Sequence, residues 1–203
     1  MLRSLGLALA VAAAALVLAG PAVAQTEWKR VHLEDETTLD IPAVVGDDYH
    51  VPAELARQGD LMFFSVSSGQ SGLMDCLLKR SVYGSGPPGP PSREQMIDTL
   101  KDDGRIDLCI GRGTNRRKAI NEGGVLKGFP SGRCVVGYTD EGEGAEAGPG
   151  SGRVLDTLVV AAPEAYYTLA CTLRAADQRT AEREWFYDWR GVIQHMQGSL
   201  LVP

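Results

Sequence analysis

Near the end of the chain, Trp185, Trp189, Val192, Ile193, Met196 and Leu200 recur at the i, i+4, i+7, i+8, i+11 and i+15 spacing. That period lays six apolar side chains, two of them indoles, along one side of an α-helix. Such a stripe is too costly to leave in water and must lie against a second apolar surface. The spacing predicts a helix near 178–197, stopped by Gly198. The rest of the chain has to supply what it packs on.

Upstream, the pattern is that of strands. Trp28–Leu33 alternates, Glu34–Thr37 turns, and Thr38–Ile41 runs to Pro42, which reads as a hairpin. Residues 43–60 read as loop with at most a short helical turn. Leu61–Val66 and Leu73–Val82 are strands separated by the turn cluster Ser67–Gly72. Two further strand candidates flank Gly123-Gly124, followed by Arg133–Tyr138, Arg153–Ala161 and Ala165–Leu173. Ser92 with Gln95 forms a capping box for a short helix carrying Met96, Ile97 and Leu100 and ended by Gly104. The expected fold class is α+β: an antiparallel β-sheet flanked by helices, with the long C-terminal helix packed on the sheet. No internal repeat is apparent.

The chain begins with Arg3, an apolar run Leu5–Leu18, the helix breaker Gly20-Pro21, and the small-x-small pattern Ala22-Val23-Ala24. This is the layout of a cleavable secretory signal over residues 1–24, leaving a single α+β domain at 25–203. The apolar run of 14 residues falls short of the roughly 20 that span a bilayer, so no integral membrane segment is expected after cleavage. The expected location is the periplasm or the medium. The formal net charge is −6, or −7 without the leader. An acidic chain repels nucleic acid and, as a whole, anionic lipid, so neither is expected as a general partner.

Four cysteines, Cys76, Cys109, Cys134 and Cys171, lie 33, 25 and 37 residues apart. No close pair suits a zinc or thioredoxin-like site, and an even number in an exported chain reads as two structural disulfides. If the last three strands form a meander, Cys134 and Cys171 stand two strands apart, roughly 9–10 Å, too far to bridge. Two pairings remain: 76–171 with 109–134, or 76–134 with 109–171.

The order of elements resembles a known family. A W-x-x-V-x-L hairpin at Trp28–Leu33 leads to a strand ending in Pro42. A G-D-x-x-F-F strand follows at Gly59–Phe64, and Tyr166–Cys171 runs into a long helix bearing Trp185. Together these resemble the PsbP-like α-β-α sandwich family, which includes bacterial envelope members. The resemblance implies docking to partners rather than catalysis. It transfers no site residue, and the four cysteines and two Gly-rich loops depart from it.

No motif points to a cofactor or a metal. Gly84-Ser85-Gly86-Pro87-Pro88-Gly89 matches G-x-G-x-x-G in letters, but Pro87 and Pro88 have no N–H to offer a pyrophosphate. There is no G-x-S-x-G elbow, and His32, His50 and His195 are scattered. His195 lies beside the apolar stripe, where solvent exposure is expected. The acidic residues Asp140, Glu141, Glu143 and Glu146 lack the order of a calcium loop.

One asymmetry stands out. Between Gly104 and Arg133, seven basic residues face two acidic ones, a local net of +5 against −12 for the rest of the mature chain. Within it Arg112, Arg116, Arg117 and Lys118 have the composition of an exposed loop and are the candidate partner-binding residues, suited to an envelope protein or another anionic surface. An ordinary charged strand edge explains the same residues. The function expected is that of a non-enzymatic exported binding or adaptor protein. The alternatives are an envelope hydrolase with a site assembled from distant residues, or a complex subunit that docks by the helix stripe.

Overall fold

In a computed structural model of the chain, the described residues are 26–203 apart from 34, 50–58, 68–71, 84–91, 93, 96–113 and 141–149. The leader, His50, the glycine–proline loop, Arg112 and Cys109 lie outside that set.

The first two strands, β1 (Trp28–His32) and β2 (Thr38–Pro42), form the expected hairpin. The short helical turn expected in the following segment is a single 3-10 turn at Ala43–Val45. The remaining strands build one antiparallel sheet: β3 (Asp60–Ser67), β4 (Leu73–Val82), β5 (Thr114–Leu126), β6 (Phe129–Thr139), β7 (Gly152–Ala161) and β8 (Ala165–Ala175). Their spatial order is β3-β4-β8-β7-β6-β5. The meander of the last three strands expected from sequence is therefore present. Ser92 and Gln95 make the reciprocal bonds of the capping box, N–H to Oε1 at 2.6 Å and N–H to Oγ at 3.2 Å. The helix expected to follow lies outside the described residues.

Gly123-Gly124 is not a turn. Both glycines sit inside the continuous strand β5, opposite Gly132 and Ser131 of β6. The chain reverses instead at Lys127-Gly128, where both residues have positive φ (50° and 94°). A two-residue hairpin loop with that handedness matches the right-handed twist of the strands.

The C-terminal segment runs as α1 (Gln178–Glu184), a π turn (Trp185–Trp189) and α2 (Arg190–Ser199). Asp177 caps its start, accepting from the Thr180 N–H at 2.9 Å. Ala181, Trp185, Trp189 and Ile193 are all buried. In a strict α-helix each four-residue step turns about 400°, so such a row drifts off its face. The π turn, closed by the Arg190 N–H on the Trp185 carbonyl, absorbs that drift. The helix ends at Ser199, one residue past Gly198, the stop expected from sequence.

The helix lies on one face of the sheet. Burial alternates along β8, with Tyr167, Leu169, Cys171 and Leu173 inward. Trp185 and Trp189 are 6% and 4% exposed, which removes the reading in which the apolar stripe is a docking face. On the opposite face, Cys134 and Val136 of β6 and Val159 and Ala161 of β7 are buried too. Cys76 and Cys171 face each other across β4 and β8 and are bonded, with a Cα–Cα distance of 4.1 Å. Of the two pairings left open by sequence, this selects the first. Cys134 is also disulfide-bonded.

Candidate functional site

Of the two readings of the basic run, exposed loop and charged strand edge, its described part takes the second. From Thr114 onward it is strand, because β5 continues through the run and pairs with β6. The register shifts twice here, between Thr114 and Arg117 and between Lys118 and Ile120. Such bulges leave residues unpaired with the partner strand and turn them outward. Arg117 stands opposite Gly137 of β6, and Arg116 and Arg117 are both exposed although adjacent in a strand. Lys118 belongs to the same strand, opposite Val136, whereas Arg112 lies outside the described residues. β5 ends the sheet, and among the described residues no strand pairs with its outer edge.

Behind this edge is a buried polar cluster that the sequence reading missed. Asp156, in the middle of β7, is fully buried and accepts four hydrogen bonds. Arg133 of β6 supplies two, from Nε at 3.0 Å and Nη2 at 2.6 Å. Trp185 Nε1 and Gln197 Nε2 supply the others at 3.0 and 2.9 Å. A carboxylate saturated in this way is a clamp between sheet and helix, with no lone pair directed at a substrate. The signal for it was an acid inside the otherwise apolar run Val154–Ala161.

A cleft of about 200 Å³ separates the β5–β6 hairpin from the end of α2, lined by Glu122, Gly123, Gly124, Arg133 and Gln197 among others. Gly123 and Gly124 contribute no side chain to this cleft, which lies toward the Lys127-Gly128 end of β5, away from Arg116 and Arg117. Arg133, at the cleft wall, has its Nε and Nη2 committed to Asp156.

A second polar cluster joins the β1–β2 hairpin to the helix. Asp40 accepts Arg30 Nε at 2.7 Å and Nη2 at 3.0 Å, and His195 Nε2 lies 3.5 Å from its other side. The Arg30 guanidinium, ahead of every other influence, holds the Asp40 carboxyl below the usual carboxylate range. His195 is partly exposed, as expected, but its ring stacks on Trp28 at 3.8 Å. Ser199 stands beside this pair. Its hydroxyl donates to the Met196 carbonyl at 2.8 Å and accepts the Asp40 N–H at 2.9 Å. Serine, histidine and aspartate thus meet, yet the hydroxyl is bonded to backbone and not to the imidazole. This is not the arrangement of an activated nucleophile. Among the described residues, no three His, Cys, Asp or Glu side chains are grouped to hold a metal. Asp140 of the acidic run pairs with Arg153 at 3.4 Å, and the other acids of that run lie outside the described residues.

Comparison with solved structures places the fold. The chain is similar to the Ran-binding protein Mog1p of Saccharomyces cerevisiae, at a TM-score of 0.56 and 9% identity, over 87% of this chain and 96% of that one. It is also similar to a protein of unknown function and putative regulator from Pseudomonas aeruginosa, at 0.49 and 13% over 87% and 97%. A third similar structure is LpqN, involved in cell envelope biogenesis of Mycobacterium tuberculosis, at 0.47 and 15% over 87% and 91%. The Mog1p match is consistent with the PsbP-like fold expected from the element order. No family model and no curated protein matches the sequence.

Proposed function

We propose that the chain is a non-enzymatic exported binding or adaptor protein that holds an acidic segment of a partner protein along the β5 edge. The observation that carries this reading is the bulged end of β5, which presents Arg116 and Arg117 together on a molecule of net charge −6. Arginine pairs with carboxylates in a bidentate fashion that fixes orientation as well as adding energy. The bulges favour recognition by side chains over addition of a strand, since they break the regular ladder a new strand would copy. Lys118 and Arg112 extend the same basic segment along the sequence. That Mog1p binds Ran agrees with the use of this scaffold for protein docking. The leader read from residues 1–24 puts the partner in the cell envelope.

The test is capture from envelope extract with the wild-type chain and with R116E/R117E, followed by binding of the purified captured protein. The double variant is expected to lose the partner, and restoring salt-sensitive binding by reversing acids on the partner would secure the contact. An unchanged partner set with the double variant would end the proposal.

A further inference from the structure

The π turn that keeps Trp185 and Trp189 on the sheet has a consequence on its other side. Three successive residues, Phe186, Tyr187 and Asp188, are turned outward. Phe186 is 51% and Tyr187 75% exposed, and their rings meet edge-on at 5.0 Å. The Arg190 guanidinium lies 5.4 Å from the Phe186 ring. One and two turns earlier, Arg183 and Arg179 are exposed as well. The acids nearby are mostly engaged: Asp177 caps the helix and Glu182 accepts from Gln178 at 2.9 Å. Glu184 is half-buried, and burial pushes its carboxyl up. Asp188 is exposed within the patch, and Asp177 is exposed beside Arg179 at its start.

We infer that this outer helix face is a docking surface for an anionic phospholipid bilayer, with Phe186 and Tyr187 entering the headgroup layer and Arg179, Arg183 and Arg190 held by lipid phosphates. Aromatic rings flanked by arginines on a helix lying flat is the composition that settles at a bilayer interface. The patch projects outward, and none of the three described cavities, beneath β3–β4, across the outer sheet face or beside the β5–β6 hairpin, includes any of its residues. A soft surface can take up protruding rings without a complementary pocket, which a folded protein partner would require. The overall negative charge does not prevent this, because charges more than about 8 Å from the bilayer are screened at physiological ionic strength. Only the patch itself then meets the lipid.

The test is flotation of the full chain with vesicles of phosphatidylcholine alone and of phosphatidylcholine mixed with phosphatidylglycerol. Binding is expected to the mixed vesicles only and to weaken as salt rises. R179A and R183A are each expected to reduce it roughly fivefold, the effect of one arginine at an anionic surface. F186S/Y187S is expected to abolish it while the thermal transition stays unchanged, both rings being at the surface. R116E/R117E is expected to float as the wild type does, which separates this surface from the β5 edge. Absence of binding to the mixed vesicles, or undiminished binding of F186S/Y187S, would overturn the inference. So would capture by immobilised polyglutamate in place of vesicles, which would assign the face to an acidic protein.

Discussion

Two bidentate arginine–aspartate pairs touch the C-terminal helix, and they differ in almost everything except their chemistry. Arg133–Asp156 joins β6 to β7 beneath the helix, with side chains 10% and 0% exposed. Arg30–Asp40 joins β1 to β2 at its rim, with side chains 53% and 15% exposed. The buried carboxylate is filled by four donors, two of them from the helix segment itself. The outer one has His195 at 3.5 Å, and its arginine is the half that faces water and salt. The lesson is one of context. The same ion pair acts as a structural clamp where water is excluded and as a modest trim where it is not.

The sharpest break in this comparison is Arg133→Ala. It leaves the Asp156 charge buried with only neutral donors, and a loss of about 3–5 kcal/mol of unfolding free energy is expected in urea titration. Replacing both partners, as R133M/D156L, should recover part of that loss. It should still cost about 1–3 kcal/mol, because the Trp185 and Gln197 donors then have nothing to bond. A double variant as stable as wild type would show that those two bonds contribute nothing. Gln197→Ala removes one donor and opens the floor of the cleft, for an expected loss of about 1–2 kcal/mol.

At the rim, Arg30→Ala should cost less than any of these changes, and less still in high salt. Acid gives an independent check on the same pair. Arg30 lowers the folded Asp40 carboxyl below its unfolded value of about 3.9. A depressed carboxylate stabilises above the unfolded value and loses that contribution as pH falls through the folded one. The difference in stability between wild type and D40N should therefore be present at neutral pH, begin to shrink below about pH 4, and be lost once the pH is below the folded carboxyl's own lowered value. A difference that persisted in acid would deny the carboxylate its part.

Much of the architecture was legible because it depends on periods of two and of about four. β4 was read to the residue at Leu73–Val82, and the burial alternation on β8 follows directly from its side-chain pattern. The capping box at Ser92 and Gln95 is a local signal and was found as one. Gly123-Gly124 misled, because glycine marks a turn only when the ladder does not continue through it. Here Gly132 and Ser131 on β6 pair across it, and the nearby Lys127-Gly128 takes the positive φ angles. The basic run left loop and charged strand edge both open, and pairing with β6 decided for a bulged edge.

Residue order alone was enough to determine an amphipathic closing helix, a strand-rich body for it to cover, and cysteines placed so that 134 and 171 do not meet. These follow from interactions between near neighbours and from the spacing of apolar side chains. Tertiary structure decided the rest: that Asp156 collects donors 23, 29 and 41 residues away, that Cys76 lies opposite Cys171 across a 95-residue separation, and that a π turn presents Phe186 and Tyr187 outward. The first two are contacts between segments remote in sequence, and the third is the other side of a turn that keeps Trp185 and Trp189 against the sheet; the burial that favours them exists only in the folded chain.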